Sequence, residues 1–115
     1  MSAPLDPERH VADVFAALGD HTRLSLLLKL SDASPQPIGR LAAGTGLTRQ
    51  GVAKHVRVLE GAGLVYRTPK GRETLVHCRR EPLDQASACL DAIARQWDHA
   101  LQRLRRLVED DPDQS

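Results

Sequence analysis

Between Ile38 and Ala62 a helical pattern is broken once, by Gly44-Thr45-Gly46. Paired glycines do not favour a continuing helix, and they readily adopt the left-handed backbone that turns a chain. The stretch therefore reads as two helices joined by a tight turn. The first is short, Ile38 to Ala43, with Leu41 and Ala42 facing inward, and Leu47 is expected to pack the turn down. The second starts at Thr48, a good N-cap, and runs to about Ala62. Val52, Val56 and Leu59 recur at helical spacing as its buried stripe. Gly61 and Gly63 then allow the chain to leave in a left-handed conformation. A short helix, a glycine-containing turn and a second helix make the helix-turn-helix arrangement.

The flanking segments complete a small domain. Asp6-Pro7 reads as an N-cap followed by proline at the first helical position. Val11, Val14, Phe15 and Leu18 follow at helical spacing, and Gly19 stops that helix. Asp20 caps the next one, through Leu24, Leu26, Leu27, Leu28 and Leu30. That helix is apolar over most of its circumference and is expected at the centre of the fold. Ser31 to Pro37, with two prolines, reads as a loop. After Ala62, the β-prone runs Leu64 to Thr68 and Glu73 to Cys78 flank Pro69-Lys70-Gly71-Arg72, which predicts a hairpin. Glu81-Pro82 opens a long helix, and the acidic tail Asp110 to Ser115 is expected to fray. The reading is one mainly helical domain over residues 1–115, in the order α-α-α-α-β-β-α. Residues 6–80 form its core and 81–110 its C-terminal helix.

That last helix carries more apolar surface than its own domain needs. Leu83, Ala86, Leu90, Ile93, Trp97, Leu101, Leu104 and Val108 form a sustained seam of the coiled-coil kind. A helix of about 26 residues is ~39 Å long, more than a small core can cover. A surplus stripe calls for a partner, most commonly a second copy about a twofold axis. With 115 residues and only one Phe, one Trp and one Tyr, the chain must build its core from aliphatic side chains, and self-association would add burial.

Net charge is only +1, but it is unevenly placed. From Gln36 to Arg80 there are nine basic residues against two acidic ones, while the rest holds seven basic against thirteen acidic. A basic block in an otherwise acidic chain is what a phosphate-binding face requires. On the second helix of the motif, the buried stripe leaves Thr48, Arg49, Gln50, Lys54, His55 and Arg57 largely outside. The second helix of this motif enters the major groove by its N-terminal turn. Arg can bond guanine and Gln can bond adenine, so Thr48, Arg49 and Gln50 are expected to read bases. Gly51 adds little bulk there. Lys54, His55 and Arg57 suit phosphates, although His55 could equally pack against the wing. Lys70 and Arg72 give the hairpin a basic tip that can reach flanking DNA.

Two segments also resemble a known family. Phe15 to Leu24, reading FAALGDHTRL, looks like the opening signature of ArsR-type winged-helix repressors. Gly46 to Val65, with Lys54-His55, Leu59 and the Gly63-Leu64-Val65 exit, resembles that family's recognition helix and its end. The resemblance covers roughly Val11 to Leu107. It implies a dimeric repressor on a pseudo-palindromic operator, with first and last helices forming the interface. Val11, Val14, Phe15, Leu83, Leu90, Ile93, Trp97, Leu101 and Leu104 are the expected interface residues. One metal site of the family uses paired cysteines on the helix before the turn, where this chain has Ile38 to Ala43. Another uses Asp and His clusters on the last helix, and Asp84, Asp91, Asp98 and His99 do not reproduce that spacing. No metal or cofactor is expected, and no enzyme signature is present.

Cys78 and Cys89 do not make a disulfide framework, and they read as small apolar residues before they read as redox groups. No run of membrane-span length and no secretory signal is evident, which favours the cytoplasm. Two other readings stay open at this point: a metal- or redox-responsive sensor of the same fold, and a winged-helix module that contacts protein instead of DNA.

Overall fold

The computed structural model describes residues 7 to 109. Helix α1 (Pro7–Leu18) begins at Pro7, where a missing N–H costs nothing. The cap expected at Asp6 and the tail from residue 110 lie outside the described residues. Asp20 caps α2 (His21–Asp32) by accepting the N–H of Arg23 at 3.0 Å. Strand β1 (Gln36–Pro37) leads directly into the short α3 (Ile38–Ala42). The turn follows with Gly44 and Gly46 both at positive φ, then α4 (Arg49–Gly61). Strands β2 (Val65–Lys70) and β3 (Glu73–Cys78) form the wing, and α5 (Glu81–Glu109) closes the chain.

The strand β1 is a correction to the expected loop. It pairs antiparallel with β3, Gln36 opposite Val76 and Pro37 opposite Leu75, giving a three-stranded sheet in the order β1-β3-β2. Proline is tolerated there because an edge strand has one side free of ladder bonds. Gln36 also closes α2, its Nε2 donating to the carbonyls of Lys29 at 3.0 Å and Ala33 at 2.6 Å. The hairpin is tighter than expected. Pro69 and Lys70 belong to β2, and Gly71-Arg72 alone makes the turn, with Gly71 at φ +60° in the first central position, as a type II′ turn requires.

The core is aliphatic, as the shortage of aromatics dictates. Val14, Leu26, Leu30, Leu41, Val52, Val56, Leu59, Leu64, Val65 and Val76 are all but fully buried. The α4 stripe of Val52, Val56 and Leu59 is the expected one and pins that helix to the body. Helix α2 differs: Leu26, Leu27 and Leu30 face the core, whereas Leu24 and Leu28 are exposed. It lies beside the core rather than through it. Leu47 is also exposed; the turn is held instead by Thr45, whose hydroxyl donates to the Ala42 carbonyl at 2.7 Å and accepts the Leu47 N–H at 3.1 Å. Lys29 adds a tie from α2, donating to the carbonyls of Leu41 at 3.3 Å and Ala43 at 2.9 Å. These carbonyls end α3 and would otherwise lack partners. At the exit of α4 only Gly63 is left-handed, at φ +78°; Gly61 is still helical.

Candidate nucleic-acid interface

Thr48 sets the start of α4. Its hydroxyl oxygen accepts the N–H of Gly51 at 3.0 Å, which satisfies one of the free amides of the first turn. The hydroxyl proton remains available to an outside acceptor. With the aliphatic stripe inside, Arg49, Gln50, Lys54 and Arg57 stand exposed on the opposite flank. Arg49, Gln50 and Arg72 of the wing tip line one cleft of about 450 Å³, together with Arg40 and Gly39 of α3. Lys70 is exposed at the tip but does not line the cleft. Arg40 is a residue that the sequence pattern missed. It lies on a five-residue helix, too short for periodicity to assign a face, and only the fold brings it beside Arg49. Glu73 also enters the cleft and partly offsets the arginines.

An ion pair ties the wing to α4. Arg67 on β2 donates from Nε and Nη2 to the two oxygens of Glu60 on α4, each at 3.0 Å. This fork is the strong geometry for arginine and carboxylate. It holds the Glu60 carboxyl below the ordinary glutamate range, chiefly through those hydrogen bonds. On the wing's other face Tyr66 stacks on His77 with ring centres 4.5 Å apart, and His77 shares a 2.7 Å hydrogen bond with the Thr68 hydroxyl.

His55 is half-buried, and one edge of its ring faces the start of α2. Its Nδ1 lies 3.5 Å from an Arg23 nitrogen and 3.8 Å from a carboxylate oxygen of Asp20.

The expected pairing face splits in two. Val14 lies wholly in the protomer's own core, so it cannot also face a partner. Val11, Phe15 and Leu83 are half-buried against that core. By contrast Leu90, Ile93, Trp97, Leu101 and Leu104 are exposed along α5, and Leu107 and Val108 continue the stripe. Within α5 only Pro82 and Ala86 are buried. Seven large apolar side chains on one helix form a patch of the kind that marks an interaction surface.

Cys78 and Cys89 are free thiols, and burial pushes the Cys78 thiol up, away from the reactive thiolate form. Among the described residues no three His, Cys, Asp or Glu side chains come together as a metal site, and no helix is long and apolar enough to cross a membrane.

Comparison with known proteins converges on one kind of molecule. Residues 18–67 match a helix-turn-helix domain family. The HTH-type transcriptional regulator CmtR of Mycobacterium tuberculosis is 44% identical over 66 residues, 57% of this chain and 55% of CmtR, so the match spans about half the length of that relative. The solution structure of CmtR is described as that of a cadmium metal-sensor. An ArsR-like transcriptional regulator from Rhodococcus sp. RHA1 superposes with a TM-score of 0.75 at 33% identity, over 87% of this chain and 93% of that one. A homodimeric winged helix-turn-helix DNA-binding domain from Mycobacterium bovis shares the fold, with a TM-score of 0.62 at 22% identity over 84% and 92% of the two chains.

Proposed function

Because this chain belongs to the ArsR-type winged helix-turn-helix transcription regulators, we propose that it binds duplex DNA as a homodimer and represses by occluding a promoter. The observation that carries this reading is the two-sided character of α4. Its aliphatic flank is locked in the core, and its polar flank of Arg49, Gln50, Lys54 and Arg57 is open. In this reading α4 enters the major groove, where Thr48, Arg49 and Gln50 meet base edges. Lys54, Arg57, Arg40, Lys70 and Arg72 meet phosphates on either side of the groove, and α3 and the wing set their spacing.

The dimer is supported by the exposed stripe of α5 and by the homodimeric state of the M. bovis domain. A twofold pair of recognition helices matches a pseudo-palindromic site, with half-sites about 34 Å or a multiple of that apart. The cytoplasm, where the DNA is, is the compartment that fits this function. Metal sensing is the property of CmtR, and the described side chains offer it no cluster of three ligands here.

The test is selection of bound duplexes from a random-sequence pool, followed by sequencing. We expect an enriched inverted repeat with fixed half-site spacing. A protein that retains no duplex, or retains all sequences equally at physiological salt, contradicts the proposal.

A further inference from the structure

One polar cluster joins α1, α2 and α4 and takes no part in the interface described above. Its centre is Arg23, in the first turns of α2. The Arg23 Nε donates to the carbonyl of Ala17 at 2.7 Å, and Nη2 donates to that of Ala16 at 3.5 Å. These carbonyls belong to the last turn of α1, where a cation is favoured; that of Ala16 also accepts the Gly19 N–H at 3.2 Å. The third nitrogen, Nη1, faces Nδ1 of His55 on α4 at 3.5 Å. Asp20 completes the group. It accepts the Arg23 backbone N–H and lies 3.8 Å from the same His55 nitrogen. His55 directly precedes the fully buried Val56, so the cluster flanks the stripe that anchors the recognition helix.

We infer that Arg23 and His55 are positioning residues for DNA recognition: they fix α4 relative to α1 and do not touch nucleic acid. This rests on the DNA-binding reading above. Arg23 can hold both helices at once because a guanidinium offers several donors in one rigid plane, which an ammonium does not. Helix α1 packs on α5, the helix with the unpartnered stripe. The angle between α1 and α4 therefore sets how each recognition helix stands relative to a twofold axis through α5. Loosening it should cost discrimination between half-site spacings more than it costs phosphate contacts.

The experiment uses the full chain as wild type, Arg23→Lys, His55→Leu and His55→Asn. Asparagine can place an acceptor oxygen where the histidine Nδ1 stands. Each protein is checked for folding by its thermal transition. Binding is then measured to the selected duplex, to duplexes with the half-sites moved by one base pair, and across a salt series. We expect Arg23→Lys and His55→Leu to lose about tenfold on the selected duplex, near 1.4 kcal/mol. Both should discriminate less between spacings, with the wild-type salt slope, and His55→Asn should bind close to wild type. Wild-type affinity and spacing preference in folded Arg23→Lys and His55→Leu overturn the inference. So does a shallower salt slope in His55→Leu that His55→Asn shares, which would make His55 a phosphate contact. If the wild type binds no duplex at all, the DNA-binding reading itself fails and takes this inference with it.

Discussion

The guanidinium of Arg49 lies against the bare backbone of Gly39. A Cβ built on Gly39 would stand 3.0 Å from the Arg49 Nη2 and 3.3 Å from its Cζ. The absence of a side chain on α3 thus sets where the first basic residue of α4 rests. Gly39→Ala should leave folding intact or improve it by up to about 1 kcal/mol, since alanine is the better helix former. It should push Arg49 aside and weaken binding to the selected duplex severalfold. Chemical denaturation and a DNA titration of the same preparation check this. Unchanged affinity would show that the contact does not matter for recognition.

The two classes of basic residue should separate in a mutant series. Arg49→Ala is expected to cost roughly 1–3 kcal/mol on the selected duplex and little on random DNA. Lys54→Ala and Arg57→Ala should weaken all duplexes about equally, and each should lower the salt slope by about one. Equal losses on selected and random DNA for Arg49→Ala would move Arg49 into the phosphate class.

Acid should loosen the wing. The Glu60 carboxyl is held down by the hydrogen bonds of Arg67, and that of Asp20 by the N–H of Arg23. A depressed carboxyl stabilises the fold fully above its unfolded value, about 4.3 for glutamate and 3.9 for aspartate. That contribution is lost as pH falls through the lower folded value. Thermal stability should therefore decline as pH drops below about 4.3, and Glu60→Gln should flatten part of the decline. The Glu60–Arg67 pair is about a third exposed, so its share should be no more than about 1 kcal/mol. An identical acid limb in Glu60→Gln would show that the pair does not hold the wing.

Much of this architecture is legible in the sequence because local chemistry and tertiary packing agree there. Thr48 caps α4, and Val52, Val56 and Leu59 are its buried stripe, as their spacing dictates. The basic wing and the long apolar seam of α5 follow from equally local patterns. What the sequence conceals depends on contacts between distant segments. A two-residue strand at Gln36–Pro37 has no alternation to detect, and it forms only because β3 offers an edge. The direction of His55 is set by Asp20 and Arg23, more than thirty positions away, since its place on the border of the buried stripe allows either side. Val14 shares helical spacing with Val11 and Phe15, so periodicity alone cannot separate the residue facing the core from its neighbours. The exposure of Leu24 and Leu28 likewise reflects how α2 docks, not its composition.

Trp97 is the sole tryptophan of the chain, and its side chain is 68% exposed in the protomer. In a dimer built on the α5 stripe it becomes a probe of association. Its emission should shift to longer wavelength on dilution, as the apparent mass falls toward the 12.6 kDa protomer. Leu101→Glu should hold the protein monomeric and greatly weaken binding to a two-half-site duplex, because each half-site contact would then form alone. A dimer that survives Leu101→Glu would locate the interface elsewhere.

The most direct measurement is the salt dependence of binding to the selected duplex, for wild type and for an Arg49→Ala, Lys54→Ala, Arg57→Ala triple variant. An α4 seated in the groove predicts a steep linear fall of log affinity with log salt in the wild type, since cations on DNA release counterions. The triple variant should show a markedly shallower line and lose sequence preference. Equal slopes and equal preference in the two proteins would mean that the open flank of α4 does not meet DNA.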